Sequence, residues 1–231
     1  MIRWDAPGAY VVAFSTRRGG VSDGAFRSLN LGLLTDDDPA NVAENRRRLC
    51  NEVGADHERL AMNRQVHGAI VNRAQPGSRR VDGDGLWTDE PDLPMLKVTA
   101  DCLPIALART NGRPALALLH VGRLGLLEGV IAAGVSVVGT QAWAVIGPGI
   151  GPCCYEVGAD IRAAYRARFG EGVVAGTHLD LWEAAHKALR DEGITHVERL
   201  DVCTACNPDD YFSHRRDSGV TGRQGVIGYL A

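Results

Sequence analysis

Met95-Leu96-Lys97-Val98-Thr99-Ala100-Asp101-Cys102-Leu103-Pro104-Ile105-Ala106-Leu107-Ala108-Arg109, continued by Ala115-Leu116-Ala117-Leu118-Leu119-His120-Val121-Gly122, sets the architecture of this chain. Short apolar runs broken by small and polar residues read as strands near 95–99, 103–109 and 115–121. No helix-length segment separates them, so strands and helices do not alternate as in a strict βαβ fold. The same stretch carries Cys102 and His120, each just after or at the end of an apolar run.

Outward toward the N-terminus, residues 64–74 read as a further strand and residues 8–16 as an early one. Asp37-Asp38-Pro39 opens a helix to about Val53, with Val42, Leu49 and Val53 on one face. Val81-Asp82-Gly83-Asp84-Gly85, with two Asp-Gly pairs, reads as a loop. Toward the C-terminus, residues 124–134 suggest a helix weakened by Gly125, Gly129 and Gly134, each costing about 1 kcal/mol against Ala. Residues 142–146 form a strand, and Gly147–Pro152 cannot be regular structure. Helices follow over 157–169 and 179–192, and a last strand near 225–230. No repeat, low-complexity block or linker divides the chain. The expectation is one α+β domain over residues 1–231, of mixed β-sheets flanked by helices.

The 231 residues are 45% hydrophobic and 23% charged, with net charge −3. That balance is ordinary for a globular protein and gives no basic field for nucleic acid or an anionic membrane. No apolar run reaches membrane-spanning length. Met1–Pro7 lacks the basic and apolar regions of a signal peptide, and a cytoplasmic location is expected by default. The six cysteines therefore read as thiols or ligands, not as a disulfide framework.

Gln65-Val66-His67-Gly68, the Cys102 segment and the His120 segment each offer one soft or borderline ligand beside a small or turn-forming residue. Two His and one Cys can hold Zn²⁺ while leaving a coordination position open, the arrangement of a catalytic site. Taken singly, each is as readily a core histidine or a small buried hydrophobe.

The motifs together resemble the bacterial purine nucleoside phosphorylase family long described as polyphenol oxidase, laccase-domain or multicopper oxidoreductase proteins. They run nearly the whole chain: Ser15-Thr16-Arg17 with Gly19-Gly20-Val21-Ser22, Ser28-Leu29-Asn30-Leu31-Gly32, Asn45-Arg46, Gln65-Val66-His67-Gly68, Asp84 with Thr88, and Ala100–Ile105. His120, Ile146–Gly151, Cys154–Gly158, Phe212–Asp217 and Gly222-Arg223-Gln224 complete the order. The resemblance implies a complex fold of mixed sheets, shared distantly with a bacterial toxin deamidase that uses Cys and His. It implies zinc held by His67, Cys102 and His120, with purine nucleoside and inorganic phosphate as partners. Phosphorolysis of adenosine, inosine, guanosine and methylthioadenosine is implied, together with adenosine deamination. One departure stands out: where the family reads Ala-Gly-Trp-Arg-Gly, this chain has Val121, Gly122, Arg123, Leu124 and Gly125. The stretch from there to Gly147 is also shorter than the family's.

Phosphorolysis develops positive charge on the sugar and negative charge on the leaving base, so a phosphate site and polarisation of the base are needed. Arg binds phosphate oxygens bidentately, and Arg46 and Arg17 are the candidates; Arg215 and Arg216 are read as structural. Asp101 is expected to fix a ligand imidazole, with a simple turn residue as the alternative, and Gln65 either contacts base or water or is a strand-edge amide. Deamination instead needs a nucleophilic water, which Zn²⁺ activates by lowering its pKa to about 7. Cys153 and Cys154 are read as packing residues. His196-Val197-Glu198 with Cys203-Thr204-Ala205-Cys206 imitates a zinc deaminase signature, but only four residues separate Glu198 from Cys203 and Val202 replaces the usual Pro. A thiol-bearing loop is preferred there over a structural zinc half-site.

Other readings of the chain are a copper polyphenol oxidase, a metal-free hydrolase with Cys102 as nucleophile and His120 as base, a peptidoglycan-precursor editing factor and an inactive scaffold. Against copper oxidation, the chain has seven histidines and no His-x-His pair; one adventitious Cu remains compatible with the ligands. A monomer or weak homodimer is expected.

Overall fold

A computed structural model describes residues 1–231. Its frame is a six-stranded mixed sheet in the order β11-β8-β6-β7-β4-β3. These strands are β3 (Val71–Arg73), β4 (Gly85–Thr88), β6 (Leu103–Arg109), β7 (Leu116–Val121), β8 (Ala142–Ile146) and β11 (His196–Arg199). A second sheet, β1-β2-β12-β5, joins Ile2–Arg3, Tyr10–Phe14, Gln224–Leu230 and Met95–Thr99. Two short strands, β9 (Val174–Ala175) and β10 (His178–Leu179), pair separately.

The two-residue side-chain period of a strand explains the layers. Along β6 and β7, Leu103, Ile105, Leu107, Ala117, Leu119 and Val121 join the core on the helix side. Ala106, Ala108, Leu116 and Leu118 point the other way and join Phe14, Met95 and Val226 between the two sheets. A central sheet buried on both faces reads as the near-continuous apolar run seen in the sequence. The helix side is covered by α2 (Arg123–Glu128), α3 (Val130–Val138), α4 (Ala159–Phe169) and α5 (Leu181–Asp191).

Helix α1 (Pro39–Val53) covers the outer face of the smaller sheet through Leu49, Cys50 and Val53. It begins as expected, with the Asp38 carboxylate accepting from Ala40 N at 2.8 Å and Pro39 in the first turn, and ends at Gly54 with φ +75°. Two expectations differ from the structure. The weak helix over 124–134 is two helices, because Gly129 at φ +92° turns the chain out of register with a helix. Of residues 64–74 only Val71–Arg73 is strand; the chain before it is folded around the Asp84 carboxylate. No helix is long and apolar enough to cross a membrane.

Candidate active site and metal centre

Residues Ala100–Cys102 carry the chain from β5 in one sheet to β6 in the other. Asp101 sits there at φ +87°, a strained conformation for a residue with a Cβ. Its carboxylate is fixed by Thr204 Oγ1 at 2.6 Å and the backbone N–H of Arg215 at 2.7 Å. The turn aims Cys102 toward the end of β7, where His120 faces Pro104 across the ladder. His67, also left-handed at φ +60°, completes the group. The three side chains offer ligand atoms all within 4.8 Å of one another. The two imidazoles meet edge to face, 5.0 Å between centroids. Gly122 leaves the space they need: a Cβ there would lie 3.0 Å from Cys102 Sγ and 3.2 Å from His67 Cδ2.

Asp84 organises this group. It is fully buried, and its carboxylate accepts from the backbone N–H groups of Val66, His67 and Gly68 at 3.1, 3.0 and 2.8 Å. Its fourth partner is His120 Nδ1 at 2.7 Å. A carboxylate only accepts, so Nδ1 carries the proton and Nε2 presents a lone pair. Burial pushes the Asp84 carboxyl up, but the bonds from His120, Gly68 and Val66 outweigh it and hold the group at about 2. The imidazole-fixing role expected for Asp101 therefore falls to Asp84, and Asp101 instead braces the 204–215 segment. The Asp-Gly pairs around Asp84 signalled only a loop.

Burial pushes the Cys102 thiol up to about 12, with Asp101 and Asp84 adding to the effect. Burial also drives His120 down to about 4, despite Asp84. An imidazole that weakly basic does not deprotonate a thiol that weakly acidic, which disfavours the metal-free Cys/His hydrolase. The donor set fits a metal ion: one thiol, two imidazoles, a carboxylate orienting one ring, and a glycine where a Cβ would crowd them. A bound dication deprotonates a ligating thiol outright.

The group opens into a cavity of about 910 Å³. Seven arginines line it (Arg46, Arg64, Arg79, Arg80, Arg123, Arg215 and Arg223) against one carboxylate, Asp101. In a chain of net charge −3, such a concentration of positive charge selects an anion. Some of these guanidinium groups are already engaged. Arg64 pairs with Asp82 at 2.6 Å, and Arg46, buried, donates twice to Leu31 O. Arg215 donates to Glu156 O and lies over the Tyr155 ring. Arg123 is half-buried beside the cavity at the start of α2. Thr99 Oγ1, also on the cavity wall, is buried with no partner.

Arg17, expected at the phosphate, is not on the cavity wall. It donates to Arg27 O and Pro208 O and stacks on Phe212. Gln65 is on the wall, but its carboxamide pairs with Val98 N and O along the open edge of β5, the strand-edge reading. Arg216 ties Thr204 O, Tyr211 O and Asp217 together and is structural. His196 stacks on Trp143, and Glu198 accepts from Trp4 Nε1, so neither joins the nearby cysteines. Of the five histidines outside the group, only His214 lines the cavity.

A family model described as multi-copper polyphenol oxidoreductase laccase matches residues 11–230. A purine nucleoside phosphorylase of Pseudomonas aeruginosa is 37% identical over 98% of this chain and 96% of its own length. Another, of Deinococcus radiodurans, is 39% identical over 93% of this chain and 87% of its own. Among solved structures, YlmD of Geobacillus stearothermophilus superposes with a TM-score of 0.89 at 32% identity, covering 96% of this chain and 92% of that one. A Neisseria meningitidis protein superposes equally well, at 33% identity over 99% and 98%. By its matched length, its fold and its relatives, the chain belongs to the laccase-like family that includes these purine nucleoside phosphorylases.

Proposed function

We propose that this protein is a zinc-dependent purine nucleoside phosphorylase acting on adenosine, inosine, guanosine and methylthioadenosine, and that it also deaminates adenosine. The observation that carries the reading is the opening of the His67, Cys102 and His120 group into an arginine-lined cavity. The names of its relatives support the phosphorylase part of this reading.

His67, Cys102 and His120 are the residues that would hold the metal. When bound, Zn²⁺ supplies a Lewis acid with one coordination position open. The rest belongs to the chain. Arg123 and Arg223 hold the phosphate, with Arg46 behind them; a planar guanidinium both binds the anion and fixes its direction of attack. Arg123 thus supplies a cation on α2 although the family's Arg position holds Leu124. Tyr155 offers a ring face for the purine, and Leu124, exposed on the cavity rim, offers apolar area. The arginines fix the phosphate, and the negative charge of the phosphate stabilises the positive charge that develops on the sugar. Zinc is favoured over copper oxidation because no further histidine cluster accompanies the group: beyond it, only four cysteines come together.

The test is product analysis with adenosine, with and without phosphate. Adenine and ribose 1-phosphate should form only with phosphate, and should disappear together with the metal in Cys102→Ala. Inosine formed without phosphate would report the deaminase activity. Free ribose without phosphate, or no turnover by metal-loaded protein, would contradict the phosphorylase reading.

A further inference from the structure

Far apart in sequence, the Cys153-Cys154 pair and the Cys203/Cys206 pair meet outside the cavity lining. The strands that carry them explain why. Parallel pairing of β11 with β8 brings the chain ends beyond both strands side by side. The match continues past the strands: Gly149 pairs with Cys203, Gly149 N donates to Val202 O at 3.1 Å, and Thr204 N donates to Gly149 O at 3.0 Å. The four sulfurs then lie within 4.8 Å of one another. Cys206 Sγ is 3.4 Å from Cys153 Sγ and 3.3 Å from Cys154 Sγ.

These separations are too long for a disulfide, whose S–S bond is about 2.0 Å. Tetrahedral Zn²⁺ with bonds of about 2.3 Å needs sulfurs about 3.8 Å apart, inside the observed range. Cys203 joins the helix-side core and Cys154 packs against it, but apolar packing does not account for Cys153 and Cys206, which are exposed. Backbone donors converge as well: the N–H of Gly151 donates to Cys203 Sγ at 3.2 Å, and that of Cys206 points to the same sulfur. Donors of this kind stabilise a thiolate. None of the four cysteines lines the cavity.

We propose that Cys153, Cys154, Cys203 and Cys206 form a second metal site, a closed four-thiolate centre for Zn²⁺ that is structural, not catalytic. Four protein ligands leave no position for substrate. Metal uptake displaces the thiol protons to solvent. The site clasps two loops that meet the cavity: Tyr155 follows Cys154, and Thr204, next to Cys203, donates to the Asp101 carboxylate beside Cys102. Loss of the clasp loosens both. The proposal gives all four cysteines a ligand role, where the sequence reads Cys153 and Cys154 as packing residues and prefers a thiol-bearing loop over a structural zinc half-site at Cys203 and Cys206. The proposal is independent of the phosphorylase assignment.

Metal content of protein purified without chelator tests it, read by inductively coupled plasma mass spectrometry. Cys102→Ala removes the cavity ligand set and should retain one zinc per chain. Cys206→Ser, or Cys153→Ser if that variant does not fold, should lose this zinc. Cobalt titrated into metal-stripped Cys102→Ala protein should give the intense thiolate-to-cobalt charge-transfer absorption of a four-sulfur tetrahedral site. One wild-type zinc that persists in Cys102→Ala and is lost in Cys206→Ser would support this site and count against the cavity metal. A metal-free Cys102→Ala protein, a zinc content unchanged by Cys206→Ser, or a disulfide from Cys206 to Cys153 or Cys154 would each overturn it.

Discussion

Asp84 gathers three backbone N–H groups and one imidazole with a single buried carboxylate. Replacing it with Asn keeps the shape but turns one acceptor oxygen into a donor. That donor then faces N–H groups, leaving at least one of them unpaired at about 1–3 kcal/mol. The amide nitrogen takes the Oδ1 place, where it strands only the His67 N–H instead of two. His120 then also loses the acceptor that fixes its tautomer, a change that typically weakens metal binding about 10–100-fold. Asp84→Asn should therefore show both losses, in denaturant unfolding and in competition with a metal chelator; unchanged metal affinity would separate Asp84 from the site. Gly122 makes a purely steric claim, since its backbone is ordinary extended chain at φ −87°. In Gly122→Ala the new methyl must push Cys102 or His67 by a few tenths of an ångström, against a ligand tolerance of about 0.2 Å. Metal affinity should fall on the order of tenfold with the fold intact by circular dichroism. Full metal occupancy at equal affinity would show that the sulfur and ring have room to move.

Strand β5 raises a question that its sequence does not. Lys97 stands in the run Met95–Thr99 and is fully buried, its ammonium donating to Asn63 Oδ1 and Gly83 O. Burial lowers its pKa to about 7, with Asp84 pulling the other way. Unfolded, it titrates near 10.4. Between those values the unfolded chain binds the extra proton, so the Lys97 contribution to stability rises with pH across about 7 to 10. Lys97→Met removes the titration. The stability of the wild type minus that of Lys97→Met, from urea unfolding, should increase over this window; a flat difference would place the Lys97 pKa at its ordinary value. Helix α1 was legible because its boundaries are local: Asp38 caps, Pro39 starts and Gly54 stops it. The segment at 64–74 was not, because its conformation answers to Asp84, well downstream, and a residue-by-residue period cannot register that. Likewise β11 carries His196 and Glu198 as an edge strand, although their residue types suggested only a deaminase signature.

At the scale of the molecule, two stacked sheets place their crossing point, Ala100–Cys102, beside the end of β7, and α2 closes the cavity. The sheet order and the two-faced burial of β6 and β7 could not be read from strand runs alone, since pairing depends on which apolar faces meet. The convergence of His67, Cys102 and His120 was legible through motif order along the chain. The cavity arginines were legible only in part: Arg46 is on the wall, Arg17 is not, and Arg123 and Arg223 reach it from parts of the chain distant in sequence. Arg123→Ala should raise the KM for phosphate about 10–100-fold, from loss of a charged hydrogen bond, and leave the KM for nucleoside far less changed. An equal rise in both would make Arg123 a general support of the cavity. The most direct measurement is the rate of ribose 1-phosphate formation from adenosine and phosphate by protein stripped of metal and then titrated with Zn²⁺. The expected result is no activity in the stripped protein, recovery on zinc addition, and no recovery in Cys102→Ala. Phosphorolysis by the stripped protein, or by Cys102→Ala at the wild-type rate, would contradict a metal held by His67, Cys102 and His120 at the centre of this chemistry.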